Sequence, residues 1–147
     1  MTVTIRRGEP HDIDSLLALV EEYCAADEHR FDSSVARAGA EPLLANDTHG
    51  VIWLAESDGV VGGYAAVTWG WSIEVGGLDV VLDELFVRDR NRGIGSALID
   101  HLGRDCVGRG VARIVLETEQ PNERARRLYA RHGYTADTSI WMAKDLR

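Results

Sequence analysis

The stretch Arg90-Asn91-Arg92-Gly93-Ile94-Gly95-Ser96 decides the fold of this chain, because it joins the apolar run Leu78 to Val87 to a helical segment that ends near Val107. Two glycines let the backbone come close to a ligand, and the first amides of a helix have no acceptor inside the helix. The order of strand, glycine turn and helix N-terminus therefore predicts an anion site. A phosphate is the natural occupant of such a site.

Two other phosphate-binding motifs fit this turn less well. A Walker-type loop needs Gly-Lys-Ser/Thr, which does not follow. A dinucleotide-binding fingerprint needs a third glycine where Leu98 stands, although Glu117 is spaced like an acid that binds ribose. The turn taken alone is also compatible with a purely structural role.

Length and composition are those of an ordinary globular protein. The 147 residues suit one domain with a sizeable core, since 45% are hydrophobic and 27% are charged. No apolar run approaches the roughly 20 residues of a membrane span. Residues 1–7 lack the apolar segment of a signal peptide. We therefore expect a cytoplasmic protein that does not enter a membrane.

The cysteines and histidines show no metal-binding or redox spacing. Cys24 and Cys106 fall in predicted helices far apart in the sequence, and we expect both to be core thiols. The histidines lack the i, i+4 or cysteine-neighbour spacings that zinc requires. We predict no metal site from them; they are His11, His29, His49, His101 and His132.

Charge is divided unevenly along the chain. Residues 1–87 hold 16 acids and 4 bases, whereas residues 88–147 hold 8 acids and 12 bases. Ten arginines lie between Arg88 and Arg131, beside the glycine turn, which suits a polyanionic small ligand, and the acidic first part suits a cationic one. Any single arginine can equally be a solvated surface residue. The net charge of −8 argues against a nucleic-acid partner.

The first part of the chain predicts a short strand and two helices. The strand covers Val3 to Arg6. Apolar positions at i, i+3, i+4, i+7 and i+11 predict an amphipathic helix from Ile13 to Cys24. A second helix is predicted from Ser34 to Ala45, where Pro42 favours a break or a late helix start.

Three antiparallel strands and a parallel one follow. Val51 to Ser57 and Val60 to Trp71 are β-rich and are separated by Asp58-Gly59, a two-residue hairpin turn. Leu78 to Val87 is the third strand. After the helix, Val111 to Thr118 is predicted to return parallel to it, through a right-handed crossover.

The last part predicts a helix and a strand pair. Asn122 is a good N-cap for a helix closed by Gly133, and Tyr134 to Ala136 and Ile140 to Lys144 are predicted as strands. Together these elements predict a single-domain α/β fold. Its sheet is mixed and mostly antiparallel, with six or seven strands and helices on both faces.

Three segments in this order resemble the Gcn5-related N-acetyltransferase (GNAT) superfamily. They are Asp83-Glu84-Leu85-Phe86-Val87, then Arg90-x-x-Gly93-x-Gly95, then Asn122-x-x-Ala125-x-x-Leu128-Tyr129-x-x-x-Gly133-Tyr134. The glycine turn resembles the family's Gln/Arg-x-x-Gly-x-Gly/Ala signature. The resemblance implies that residues 1–147 are a single N-acetyltransferase domain.

The resemblance also implies acetyl-CoA as the co-substrate, without a metal. The pyrophosphate would bind the amides from Arg92 to Ala97, and the pantetheine arm would run between the strands ending at Val87 and Thr118. Arg90, Arg92 and Arg126 would contact the phosphates. The cofactor-binding residues implied in this way are Leu85, Phe86, Val87, Arg90, Arg92, Gly93, Ile94, Gly95, Ser96, Ala97, Asn122, Arg126 and Tyr129.

Direct acetyl transfer to an amine needs a base, because an amine with a pKa of about 10.4 is neutral in less than about one molecule in 1,000 at pH 7. We predict Glu84 as that base. Strand alternation places it on the face of Leu82 and Phe86, with Asp83 on the other face. A β-bulge in this strand could exchange the roles of Glu84 and Asp83. Glu117 is a third candidate, and Glu84 could instead be a structural acid paired with an arginine.

The resemblance implies two further catalytic groups. Tyr129 corresponds to the family's tyrosine that gives a proton to the departing CoA thiolate, although it could be a core tyrosine. The backbone N–H near Val87 is the expected donor to the developing oxyanion.

The acceptor is predicted to be a small cationic amine, as in relatives that act on diamines, polyamines and aminoglycosides. Acids and aromatics in Val20 to Phe31 and Trp69 to Gly77 suit a cation with an apolar stem. A protein or peptide N-acetyltransferase, a non-catalytic acyl-CoA-binding module and a protein-interaction domain are the alternatives. A homodimer is compatible with the exposed strands. The acceptor-binding candidates are Glu21, Glu22, Asp27, Glu28, Glu74, Tyr23, Trp69 and Trp71.

Overall fold

The computed structural model describes residues 2–147, which divide into a unit ending at Glu117 and a second unit of residues 118–147. The first unit holds six strands and three α-helices. In chain order these are β1 (Thr4–Arg7), α1 (Ile13–Ala26), α2 (Ser33–Ala45), β2 (Gly50–Ser57), β3 (Val60–Thr68), β4 (Trp71–Ser72), β5 (Gly77–Val87), α3 (Ile94–Gly108) and β6 (Arg113–Leu116). A short 3-10 turn, Pro10–Asp12, leads into α1.

The sheet is mixed and mostly antiparallel, as predicted. Its strands lie in the order β1-β2-β3-β5-β4, all antiparallel neighbours, and β6 pairs in parallel with the first half of β5. The predicted hairpin between β2 and β3 is confirmed. Asp58 and Gly59 both have positive φ, 52° and 77°, which is the backbone of a type I′ turn.

Helices cover both faces of the sheet. Leucines of α1 and α2 pack against Ile52 and Leu54 of β2 and against Tyr64 and Ala66 of β3. The alternate residues of β2 face α3, since the rings of Trp53 and His101 lie 4.3 Å apart. The buried side of α3 consists of Ile94, Leu98, Ile99, Leu102 and Cys106.

Helix α2 continues through Pro42 to Ala45, so the predicted break or late start is wrong. Proline in a helix removes a hydrogen bond at a cost of about 3 kcal/mol. Here the lost bond is in the last turn only, and Leu43 and Leu44 of that turn are buried. Asp32 stabilises the other end, because its side chain accepts hydrogen bonds from the amides of Ser34 and Val35.

The second unit contains α4, Glu123–Arg131, but the two C-terminal strands predicted at residues 134–136 and 140–144 are absent from it. Between them Asp137 Oδ1 accepts hydrogen bonds from the amide and hydroxyl of Ser139, which makes a turn. Ile140, Trp141 and Met142 are exposed, so no burial favours an extended segment there. Among residues 2–147, no helix is both long enough and apolar enough to cross a membrane.

Candidate active site

A β-bulge in β5 decides where Glu84 lies. Ala66 of β3 pairs with Glu84, but the next residue, Val67, pairs with Leu82, so Asp83 is an extra residue without a partner. Glu84 and Phe86 consequently share the face covered by α1, whereas Leu82 faces α3. The prediction that Glu84 shares a face with Leu82 is therefore wrong, because strict alternation fails across the bulge. The possibility of a bulge is confirmed, and Asp83 is exposed.

The carboxylate of Glu84 is held by a buried tyrosine. Tyr64 Oη donates a hydrogen bond to Glu84 Oε1 at 2.6 Å, and Tyr64 is only 1% exposed. Burial raises the pKa of Glu84 above that of an ordinary glutamate, although the bond from Tyr64 opposes this change. Glu84 forms no salt bridge with an arginine among residues 2–147, which speaks against the structural role considered above.

The C-terminus of α1 lies over this carboxylate. The amide of His29 donates to the carbonyl of Cys24 at 2.8 Å and that of Glu28 to Ala25 at 3.4 Å, which is the Schellman pattern. Glu28 occupies the left-handed position of the motif, with φ 56°. The cap sets the ring of His29 against Tyr23, with centroids 6.4 Å apart.

Aromatic rings complete the surroundings of Glu84. Tyr23 contacts Phe86 at 6.0 Å between centroids, and Tyr64 contacts Phe86 at 6.4 Å. Cys24 is half-buried next to this group, and burial raises the pKa of its thiol. Of the two cysteines expected to be core thiols, Cys24 is only half-buried, whereas Cys106 is buried, at 3% exposed.

The second half of β5 leaves one edge open within the first unit. β6 pairs with residues 79–82 only and ends at Leu116. Arg88 donates its amide to Gly62 of β3, so by strand alternation the N–H and C=O groups of Phe86 also point to β3. The N–H and C=O groups of Leu85 and Val87 point away from β3, toward the open edge. Leu85 and Val87 can therefore offer main-chain groups to an extended ligand, whereas Phe86 offers its ring.

The glycine turn forms the predicted helix N-terminus. Gly93 is the N-cap of α3 and has φ 73°, a conformation that glycine adopts without strain. The amide of Ala97 already donates to the carbonyl of Gly93 at 3.0 Å, so Ala97 closes the first helical bond. An anion would therefore meet the amides before it, such as those of Ile94 and Gly95, rather than the whole run predicted from Arg92 to Ala97.

Two arginines next to this turn remain available for an anion. Arg90 and Arg92 are exposed, and neither forms a salt bridge with any carboxylate in the described part of the chain. Arg88, by contrast, is held by Glu22 through bonds of 3.0 and 2.6 Å. The arginines of the turn are thus available, whereas Arg88 just before it is not, a difference that the sequence did not reveal.

The second unit carries the other predicted site residues. Asn122 caps α4 as predicted, accepting a hydrogen bond from the amide of Ala125 at 3.1 Å. Arg126 Nη1 donates to the carbonyls of Glu119 and Gln120, so this group holds the preceding loop. Tyr129 contacts Tyr134, with ring centroids 5.7 Å apart, and burial raises its pKa to about 12.

Several predicted acceptor-binding groups are already engaged. Glu22 holds Arg88, Glu74 accepts from Arg113 at 3.4 Å, and Trp69 stacks on Arg109 at 4.8 Å. Trp71 is 74% exposed on β4. The acids that stay exposed near Tyr23 are Glu21, Asp27 and Glu28.

One cluster has the composition of a metal site, which the sequence reasoning did not consider. Glu9, His11 and Asp12 bring possible ligand atoms within 4.8 Å of one another. Asp12, however, accepts bonds of 2.9 and 2.8 Å from Arg6 and one of 2.8 Å from the amide of Glu9. Both oxygens of its carboxylate are therefore occupied, and the cluster is explained by its role in the fold.

The first unit thus combines a helix N-terminus suited to phosphate, an open strand edge and the half-buried carboxylate of Glu84. The family model described as "Acetyltransferase (GNAT) family" matches residues 15–134. The chain belongs to this family and is an acyl-CoA-dependent N-acetyltransferase.

Three individual proteins illustrate the similarity. An uncharacterized N-acetyltransferase, YhfO, of Bacillus subtilis (strain 168) is 29% identical over 141 residues, which cover 94% of this chain and 93% of that protein. The ribosomal-protein-alanine N-acetyltransferase of Brucella melitensis biovar Abortus 2308 superposes with a TM-score of 0.80 at 26% identity, covering 99% of this chain and 100% of that one. The aminoglycoside N-acetyltransferase AAC(6')-Iy in complex with CoA gives a TM-score of 0.83 at 18% identity, covering 99% and 96%.

Sequence reasoning missed Tyr64 and His29. Tyr64 could have been aligned with its neighbours on β2 from the hairpin turn at Asp58-Gly59, but its contact with Glu84 depends on the bulge. His29 could have been placed at the end of α1 only if the helix cap had been recognised, and Glu28 is not a residue that normally marks one.

Proposed function

We propose that residues 1–147 act as one domain that transfers an acetyl group from acetyl-CoA to the primary amine of a small cationic molecule, directly in a ternary complex. The observation that carries this proposal is the half-buried carboxylate of Glu84, bonded to Tyr64, on the strand whose other edge is open at Leu85 and Val87. Strand β5 thus carries both the proposed base and an open edge that an extended co-substrate can bind.

The donor site is argued from the glycine turn. The first amides of α3 suit the pyrophosphate of CoA, as do the guanidinium groups of Arg90 and Arg92, which form no salt bridge with the residues that the structure describes. The main-chain groups of Leu85 and Val87 suit the amide groups of pantetheine. The CoA complex of the aminoglycoside acetyltransferase supports the same class of co-substrate.

The acceptor chemistry is argued from Glu84. Its raised pKa makes the carboxylate a stronger base than an ordinary glutamate, so it can take a proton from the ammonium form of the acceptor, directly or through water. The amine then attacks the thioester carbonyl, and the amide of Val87 can donate to the oxygen on which charge develops. Tyr129 is the proposed donor to the departing sulfur.

A small cation is the favoured acceptor because the residues around Glu84 combine rings with negative charge. Tyr23 and Phe86 supply apolar surface, and Glu21, Asp27 and Glu28 add exposed acids nearby in the chain. The alternative acceptor is a protein N-terminus, which the similarity to the ribosomal-protein-alanine N-acetyltransferase favours. A cytoplasmic location and a homodimer stay predictions, and sedimentation at several concentrations would measure the second.

The proposal is tested with purified protein by calorimetry and by thiol release. We expect acetyl-CoA to bind and free thiol to form with at least one polyamine, diamine or aminoglycoside. Release only with peptides that begin with alanine would replace the small cation by a protein acceptor. Binding without release from any amine would indicate a non-catalytic acyl-CoA-binding module, and no binding would refute the proposal.

The donor site is tested separately by charge removal. Arg90→Gln and Arg92→Gln should each weaken CoA binding about 3- to 30-fold, the effect of one charge-assisted phosphate contact. They should also reduce the dependence of binding on ionic strength. Arg104→Gln, which removes an exposed charge from the same helix beyond its first turn, is the matched control. Equal losses in all three variants would show a general effect of net charge instead of a phosphate site.

A further inference from the structure

We propose that Tyr64 is a positioning residue for acetyl transfer, which holds one oxygen of Glu84 so that the other takes the proton of the amine. This inference rests on the proposed function and adds a residue to it. Tyr64 lies on β3 directly opposite Phe86, and on the same face as Glu84. Its hydroxyl donates to Oε1 of Glu84 at 2.6 Å.

The contact is built into the fold. Tyr64 is 1% exposed and belongs to the core formed by α1, α2 and the sheet, so its hydroxyl cannot turn to solvent for another acceptor. The bulge at Asp83 brings Glu84 onto the face of that hydroxyl. Without the bulge, regular alternation through Leu82, Asp83 and Glu84 would direct Glu84 to the face of α3, away from Tyr64.

The bond assigns different tasks to the two carboxylate oxygens. Oε1 accepts from Tyr64, and the bond limits rotation of the carboxylate plane. Oε2 is left as the oxygen that receives the proton. A general base in a fixed orientation is more effective than a mobile one, because less order has to be created in the transition state.

The groups that face Glu84 come from several elements. Tyr64 lies on β3, Asp83 on β5 itself, Cys24 on α1 and His29 in the loop after α1. Burial and the charge of Asp83 raise the pKa of Glu84, whereas Tyr64 and His29 lower it. Removal of the Tyr64 hydroxyl should therefore raise the pKa of Glu84 further.

The test compares Tyr64→Phe with the wild-type protein. The ring and its contact with Phe86 remain, and only the hydroxyl is lost. We expect the acid limb of the kcat/KM profile to move to higher pH by about one unit, the effect of a hydrogen bond to a charged group. Activity below the limb should then fall about tenfold, with little change in the affinity for acetyl-CoA.

A second measurement does not depend on catalysis. The 13C resonance of the Glu84 carboxyl, assigned by its absence in Glu84→Gln, should titrate about one unit higher in Tyr64→Phe. In the wild-type chain, the ring carbon of Tyr64 that bears the hydroxyl should titrate with the same midpoint as Glu84. Because this titration of the Tyr64 ring carbon uses the wild-type chain, it can be measured even if Tyr64→Phe does not fold.

Leu54→Val is the matched control. Leu54 is fully buried and lies directly opposite Tyr64 on β2, so the variant loosens the same packing without touching the hydroxyl. It should lower the melting temperature and leave the midpoint of Glu84 unchanged. An equal midpoint in Tyr64→Phe and wild type would overturn the proposal. If the Glu84 midpoint rises by about one unit in Tyr64→Phe but the wild type releases no thiol, the bond to Tyr64 is confirmed and the proposed function is refuted.

Discussion

Tyr129 keeps its proton over the whole neutral range. Burial, with Tyr134 beside it, raises its pKa to about 12, so the hydroxyl is protonated at every pH below that value. A hydroxyl in this state can donate a hydrogen bond to a thiolate that leaves. Full transfer of the proton is unfavourable, since a thiol has a pKa of about 8.5.

Tyr129→Phe should therefore lower kcat about 10- to 100-fold with little change in acetyl-CoA affinity. The measurement is steady-state kinetics with calorimetry of CoA binding. Tyr134→Phe removes a hydroxyl from the neighbouring ring and serves as the matched control. An unchanged kcat in Tyr129→Phe would exclude Tyr129 from the reaction, and a loss of CoA affinity alone would assign it to binding.

At the scale of elements, the C-terminal cap of α1 stores strain. Glu28 has φ 56° at the position where glycine is preferred. The left-handed conformation costs an ordinary residue about 1 kcal/mol. The strain lies at the end of the helix that faces Glu84.

Glu28→Gly should therefore stabilise the protein by about 0.5 to 1 kcal/mol, which raises the melting temperature by about 1 to 4 °C. Glu21→Gly makes the same chemical change in the middle of α1, where it should destabilise by about 1 kcal/mol. Thermal unfolding of both variants gives the comparison. A fall in melting temperature for both would show that the cap is not strained in solution.

Elements defined by local chemistry were predictable from the sequence. The hairpin at Asp58-Gly59, the turn at Gly93 and the cap at Asn122 depend on residues next to one another. The bulge at Asp83 was only an alternative, because it depends on how β3 and β5 align. The contact between Tyr64 and Glu84 was missed for the same reason. The C-terminal strands were predicted wrongly, because composition shows that a segment favours extended backbone but not whether a partner strand lies beside it.

At the scale of the whole molecule, the uneven division of charge is partly neutralised within the first unit. Arg88 binds Glu22, Arg109 binds Asp47 and Arg113 binds Asp79. Arginines of the basic part thus pair with acids of the acidic part. The sequence suggested different partners for the two parts, and Arg90 and Arg92 of the glycine turn are among the arginines that form no salt bridge in the described part of the chain.

Acid stability should depend on the ion pair that joins β1, the start of α1 and β2. Arg6 contacts both Asp12 and Glu56, and its bonds to Asp12 hold the pKa of that carboxyl at about 2, below the ordinary value of 3.8. A carboxyl with a lowered pKa in the folded state stabilises the fold above its unfolded pKa, and this contribution is lost as the pH falls through the folded value. The window is therefore pH 4 to 2.

Over that window the free energy of unfolding should fall by about 2 kcal/mol on account of Asp12. Asp12→Asn should unfold more easily at pH 7 and show a shallower decline between pH 4 and 2, measured by urea unfolding at each pH. Asp89→Asn, which removes an exposed carboxylate, should keep the wild-type decline. An Asp12→Asn curve parallel to that of the wild type would contradict this account.

The extra residue in β5 makes a deletion at that position different from a deletion elsewhere in the strand. Deletion of Asp83 would remove only the unpaired residue, so Glu84 would stay opposite Ala66 and Phe86 opposite Tyr64. Deletion of a paired residue such as Leu85 would instead direct Phe86 to the other face of the sheet. Point substitutions at Asp83 should be tolerated, because the side chain is exposed. The pairing of β5 with β3 on either side of Asp83, more than Asp83 itself, is thus what keeps Glu84 on the face of Tyr64.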